Sequence, residues 1–170
     1  RTIIIDSANR WMTSISGETS QRLERFFDEA RLIADVTAGM PPNAISLDDP
    51  GPAHQYLIGV LDRHEAAYSA YFADGKGSFI QAINIASQPA PVQKLLGFPD
   101  DTAYALRIIF RGPMGAYEKW SRQLVSGEIV DDRVNTSVEY DPRVRPWFST
   151  ALAATYTVNT EPYIFQSLKR

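Results

Sequence analysis

Cysteine is absent from this sequence of 170 residues, which excludes disulfide scaffolds, cysteine nucleophiles and thiolate metal sites. The absence is harmless in a reducing or an oxidising compartment alike. Histidine is scarce: His54 and His64 are the only two. Both fall on or beside one expected helix, and a separation of ten residues sets them on roughly opposite sides of it, a poor arrangement for a shared metal. Both are expected at the surface, and "RHEAA" lacks the second histidine of a zinc-protease helix. Net positive charge is lacking too; at −3 the chain has no electrostatic basis for binding nucleic acid. No window is long and apolar enough to span a bilayer, and the apolar run in "RTIII" is too short for a signal peptide. The chain opens on Arg1 rather than Met and closes on a Lys-Arg pair. The expectation is a piece excised from a longer protein, with any targeting or membrane segments outside it.

What is present suits one globular domain: 44% hydrophobic and 22% charged residues, in a chain long enough to bury a core. The first forty residues read as one long helix. Ile5, Met12, Thr19, Phe26 and Ile33 recur every seven residues, and Ala8 and Ile15 start a second series that shifts by one to Leu23 and Ala30. "AGMPP" ends the helix, with Gly39 as a left-handed cap and Pro41 and Pro42 unable to continue it. Thr19 and Arg22 interrupt the stripe, which favours packing on the chain's own sheet over pairing with a second copy. A second helix covers "SLDDPGPAHQYLIGVLDRHE", capped by Asp48 or Asp49, with Tyr56, Leu57, Val60 and Leu61 as its apolar face.

The period then changes to two. "AAYSAYFADGKGSFIQAINIA" is a hairpin turning at "DGKG"; glycines there suit a turn better than a phosphate loop. "YALRIIFRG" alternates, with Tyr104, Leu106, Ile108 and Phe110 facing one way and Arg107 and Arg111 the other. "AYEKWSRQLV" follows the turn "GPMG" as the next antiparallel strand, and "APVQKLLGF" is a short helix ended by Gly97. The acidic pairs Asp48-Asp49, Asp100-Asp101 and Asp131-Asp132 are expected in turns, as solvated caps rather than metal ligands. The predicted class is α+β: a helix over residues 1–40, then an antiparallel sheet flanked by helices over 41–170. The count is about four strands plus "TVNTEPYIF".

The stretch from Tyr140 to Phe165 is the chemical anomaly. In "YDPRVRPWF", Asp141-Pro142 starts a turn. Arg145 precedes Pro146 and is driven out of the α region, while Pro146 suits the first position of a helix. A guanidinium held at such a corner loses little entropy on gripping a carboxylate, and each charge-assisted bond contributes about 1.5–3 kcal/mol. Tyr140 and Trp147 are placed to wall that pocket and Tyr163 to add a hydroxyl. The opposing reading is a structural corner in which Arg145 pairs with one of the chain's own carboxylates.

"YDPRVRPWF" followed by "TEPYIF" resembles the pocket segment of the double Cache sensor domains, extracytoplasmic ligand-binding modules of bacterial membrane receptors. The order of elements agrees as well, through a long first helix, a second helix and a hairpin with an Asp-Gly turn. The resemblance implies a PAS-like, membrane-distal module in which Tyr140, Arg145, Trp147 and Tyr163 match the residues that read amino-acid ligands in many members, the arginine and tryptophan holding the carboxylate. Phe148 stands where amino-acid-binding members carry Tyr, and Phe165 where they carry an amine-reading Asp. The expected ligand is therefore a small carboxylate rather than a free α-amino acid. The family would continue after "SLKR" into a closing strand, so the module is expected to lack it.

Function is accordingly expected to be ligand sensing for a histidine kinase, a chemoreceptor or a nucleotide cyclase, in the periplasm, with no enzymatic activity, cofactor or metal in this module. Any homodimer is expected to be parallel and to run through the first helix, at Ile5, Met12 and Ile15. The alternative is a Cache module that binds nothing and sets the geometry of that dimer.

Overall fold

The computed structural model describes residues 2–40, 45–47 and 49–160, with side chains from residue 17 onward. The chain divides into two compact units, one comprising Arg1–Met40 with Thr155–Val158 and the other Pro41–Ala154 with Asn159–Arg170. The boundary at residue 40 coincides with the expected end of the first helix; nothing in the sequence pattern pointed to the inclusion of Thr155–Val158 in the helical unit.

In the first unit, α1 runs over Thr2–Ala38. Thr37 donates its hydroxyl to Ile33 O in the last turn, and Asp35 accepts a hydrogen bond from the Thr157 hydroxyl. Gly39 closes the helix without the left-handed conformation expected of it; its N–H simply donates to Asp35 O. Leu23, Phe27, Leu32 and Val36 are exposed. The side chains of Ile5, Ala8, Met12 and Ile15, and residues Pro41, Pro42 and Asp48, lie outside the described residues.

The second unit is α+β, consistent with a PAS-like fold. Its elements are α2 (Pro50–Arg63), β1 (Ser69–Ala73), β2 (Phe79–Asn84), α3 (Ala90–Leu96), β3 (Thr102–Gly112), β4 (Gly115–Leu124), β5 (Ile129–Asn135), a short 3-10 turn (Pro142–Val144) and α4 (Pro146–Ala153). All neighbouring strands pair antiparallel, in sequence order from β1 to β5. The fifth strand is "IVDDRVN", which corrects the count of about four and the placing of Asp131-Asp132 in a turn. Alternating charge hid it: Asp131 accepts from Ser121 and pairs with Lys119, while Asp132 pairs with Arg122, both across the β4–β5 ladder. Of "TVNTEPYIF", residues 157–160 are outside any strand and 161–165 are outside the described residues.

The turns follow from local chemistry. Asp74 Oδ1 accepts from the N–H groups of Lys76 and Ser78, and Gly77 takes a φ of 88° that a side chain would resist. Gly97 ends α3 in the left-handed region as expected. Asp49 caps α2 through Gly51 N–H.

Both faces of the sheet are covered, so all six residues of β2 are buried. One face takes α2: Ala53, Leu57 and Leu61, four residues apart, pack on Ile80, Ala82, Leu106 and Ile108. His54 is buried on this same face, not at the surface as expected. Burial disfavours its charged form and lowers its pKa from 6.5 to about 4, against a hydrogen bond with the Arg107 backbone and aided by Lys119. The other face carries α3 at one end, with Leu96 against Ile83, Ala105 and Trp120, and the segment around Tyr140 at the other, against Phe79 and Ile109.

Candidate functional site

Between those two apolar ends lies a row of residues set directly opposite one another: Tyr71 on β1, Gln81 on β2, Arg107 on β3, Trp120 on β4 and Arg133 on β5. Their alternation points them away from α2. Arg107 is buried, and its guanidinium carbon lies 5.1 Å from the Trp120 ring, 5.9 Å from Phe79 and 4.6 Å from Tyr140. Its Nε and Nη2 both reach Glu118 Oε1 at 2.6 Å, and Trp120 Nε1 donates to the same oxygen at 3.1 Å. A buried cation is thus neutralised by a carboxylate two residues from Trp120 on the same strand face. Gln81 donates to Ser69 Oγ.

The segment 140–153 closes this end of the face, and its geometry follows the expected logic. Asp141 adopts an extended conformation and accepts from Arg143 N–H, starting the 3-10 turn. Arg145 is extended, at φ −95° and ψ 143°, because Pro146 follows it, and Pro146 opens α4. Arg111 ties the segment to the hairpin: its Nε donates to Gly77 O and its Nη2 to Tyr140 O. A Cβ on Gly77 would stand 3.0 Å from both Arg111 and Arg143, so those side chains would have to shift, and the φ of 88° is a conformation that other residues rarely adopt.

The two arginines of this segment have different partners. Arg143 chelates Asp141, holding that carboxyl down at about 2, well below the usual carboxylate range. Arg145 has no ion pair among the described residues. Its guanidinium carbon lies 4.9 Å from the Tyr140 ring, and its buried Nε has no hydrogen-bond partner among them. The structural-corner reading requires a carboxylate here; among the described residues Asp141, the nearest in sequence, is taken by Arg143, and Glu161 lies outside the described residues.

Of the residues singled out from sequence, Tyr140, Arg145, Trp147 and Phe148 come together. Trp147 packs at 4.8 Å on Tyr71 and 6.4 Å from Phe79, with Phe148 edge-on at 5.6 Å. Phe79 in turn meets Tyr140 at 5.0 Å. Tyr163 and Phe165 lie outside the described residues. Sequence reading missed Arg107, Glu118, Trp120 and Gln81. The available signal was Arg107 itself, a charge at an alternating position within a strand otherwise fit for burial.

No group of three or more metal-ligating side chains occurs among the described residues, and no described helix is long and apolar enough to cross a membrane. A separate cleft, lined by Gln93, Lys94, Phe98, Asp100 and Thr102 among others, shares no lining residue with the Arg145 cluster.

No family model, no curated protein and no solved structure matches this chain.

Proposed function

We propose that this chain is the ligand-binding sensor module of a bacterial transmembrane signalling receptor of the Cache type, exposed outside the cytoplasm and binding a small carboxylate. The observation that carries this reading is Arg145. Its backbone is held by Pro146 and by Arg145 N–H donating to Pro142 O, and its guanidinium is stacked near Tyr140 with no protein carboxylate among the described residues. A cation half withdrawn from water and left without a counter-ion is costly unless a ligand supplies one. The Tyr140 ring beside Arg145 belongs to an aromatic cluster with Tyr71, Phe79 and Trp147, an apolar surface against which the body of a carboxylate ligand would rest. Signal output is assigned to segments beyond this chain, and ligand occupancy would act by favouring one of two arrangements of the module.

The test is calorimetric titration of small carboxylates into the parent protein and Arg145→Ala. The parent is expected to bind, and the variant to lose roughly 2–5 kcal/mol of affinity while keeping its melting temperature within a few degrees. Equal affinity in a folded Arg145→Ala overturns the reading.

A further inference from the structure

Three guanidiniums of this site are buried or half-buried and differ in charge balance; Arg111 donates to Gly77 O and Tyr140 O and lies close enough to Asp141 to help hold its pKa down, which leaves Arg107 and Arg145 to compare. That difference rests on the same reading of Arg145 and sets the class of carboxylate. Arg107 is already neutralised: Glu118 Oε1 receives two of its N–H groups at 2.6 Å, with both side chains largely buried. Arg145 meets no carboxylate among the described residues. Arg133, the other cation of the row, lies 5.2 Å from Trp120 but is exposed, so water meets its charge. Among the described residues, Arg145 is therefore the guanidinium of this site with no carboxylate beside it, and the aromatic cluster next to it is made of the rings of Tyr71, Phe79, Tyr140 and Trp147.

We infer that Glu118 is a specificity-determining residue that makes this a site for monocarboxylates with an apolar body, and that it rejects dicarboxylates by occupying Arg107. A ligand with one carboxylate satisfies Arg145 and places its remainder against aromatic carbon. A second carboxylate would enter surroundings whose other buried cation is taken, and a desolvated charge without a partner binds poorly. Glu118 acts through Arg107, because it determines whether that guanidinium is free to receive an anion.

Matched probes test this: hexanoate against adipate, and phenylacetate against phenylmalonate, titrated into the parent protein, Glu118→Gln and the double variant Arg107→Met/Glu118→Met. The parent is expected to bind each monocarboxylate at least tenfold more tightly than its dianionic match. Glu118→Gln frees the Arg107 charge and is expected to shrink that ratio at least tenfold, mainly by tighter dianion binding. The double variant removes both charges and is expected to keep the parent's ratio, which separates charge balance from loss of structure. A ratio near one in the parent, or one unmoved by Glu118→Gln, overturns the role of Glu118 while leaving Arg145 as the carboxylate reader. Should Glu118→Gln not fold, a double variant that loses the parent's ratio overturns it instead. Failure of the parent to bind any of the four probes, in protein shown to be folded, overturns the Arg145 reading itself.

Discussion

The two faces of the sheet are built on different principles. Toward α2, the contacts are those of Leu57, Leu61, Ile80, Leu106 and Ile108, side chains that need only to be removed from water. Toward the 140–153 segment, the same strands bury Gln81, Arg107 and Trp120, with Glu118 beside them, groups that need specific partners to be buried at all. The first face gains stability from area. The second sacrifices some of that gain, since a buried ion pair is often no better than well-packed apolar residues of the same volume. With its costly residues gathered on one face and its inexpensive ones on the other, the fold leaves the polar face as the one the proposed ligand would meet.

The largest expected effect would come from breaking the polar face on one side only. Arg107→Met leaves the largely buried Glu118 carboxylate without its counter-charge, with only Trp120 Nε1 still donating to it, and is expected to cost roughly 3–5 kcal/mol in urea unfolding. Arg107→Met/Glu118→Met is expected to recover most of that. If the double variant is as unstable as the single, the pair is a packing element and the contrast between the faces weakens.

On the α2 face, Leu61→Ala is expected to cost about 2–5 kcal/mol through lost burial and a residual cavity. Carboxylate affinity, measured under conditions where the variant is folded, should stay within about twofold by the additivity of separated sites. A large change in affinity would show that the faces are coupled.

His54 sharpens the comparison through pH, because it is a buried titratable group on the apolar face. Its pKa is about 4 when folded against 6.5 ordinarily, so the unfolded chain takes up the proton more readily. Stability is therefore full above pH 6.5 and falls as pH drops toward 4. The loss across that window is roughly 3 kcal/mol, because each pH step between the two pKa values removes about 1.4 kcal/mol. Lys119 opposes the charged form, while the Arg107 backbone hydrogen bond favours it. Asp141 also loses stability on acidification, but its window lies lower, from the carboxylate range down to about 2. Urea unfolding at a series of pH values from neutral down to roughly one pH step above the folded pKa is expected to show the decline in the parent protein and a much flatter line in His54→Leu. Equal slopes would place the titrating group elsewhere.

Local backbone chemistry was legible without coordinates. The Asp-Gly hairpin, the Gly97 cap, the extension of Arg145 before Pro146 and the start of α4 depend on residues within a few positions of one another, where proline, glycine and aspartate constrain φ and hydrogen bonding directly. The gathering of Tyr140, Arg145, Trp147 and Phe148 followed from the same short segment. β5 was missed because "IVDDRVN" has charges that are matched only by Lys119 and Arg122 on its neighbour. His54 was misplaced because its side of α2 becomes interior only when the sheet is beneath it. The row from Tyr71 through Gln81, Arg107 and Trp120 to Arg133 was likewise invisible, since strand register is a relation between distant segments and a slip of one residue would turn every one of them to the other face. Composition and spacing thus determined the class of fold and the conformation of the Arg145 corner. Only the tertiary structure decided which arginine is neutralised and which is not, because that depends on how Glu118 is paired across strands.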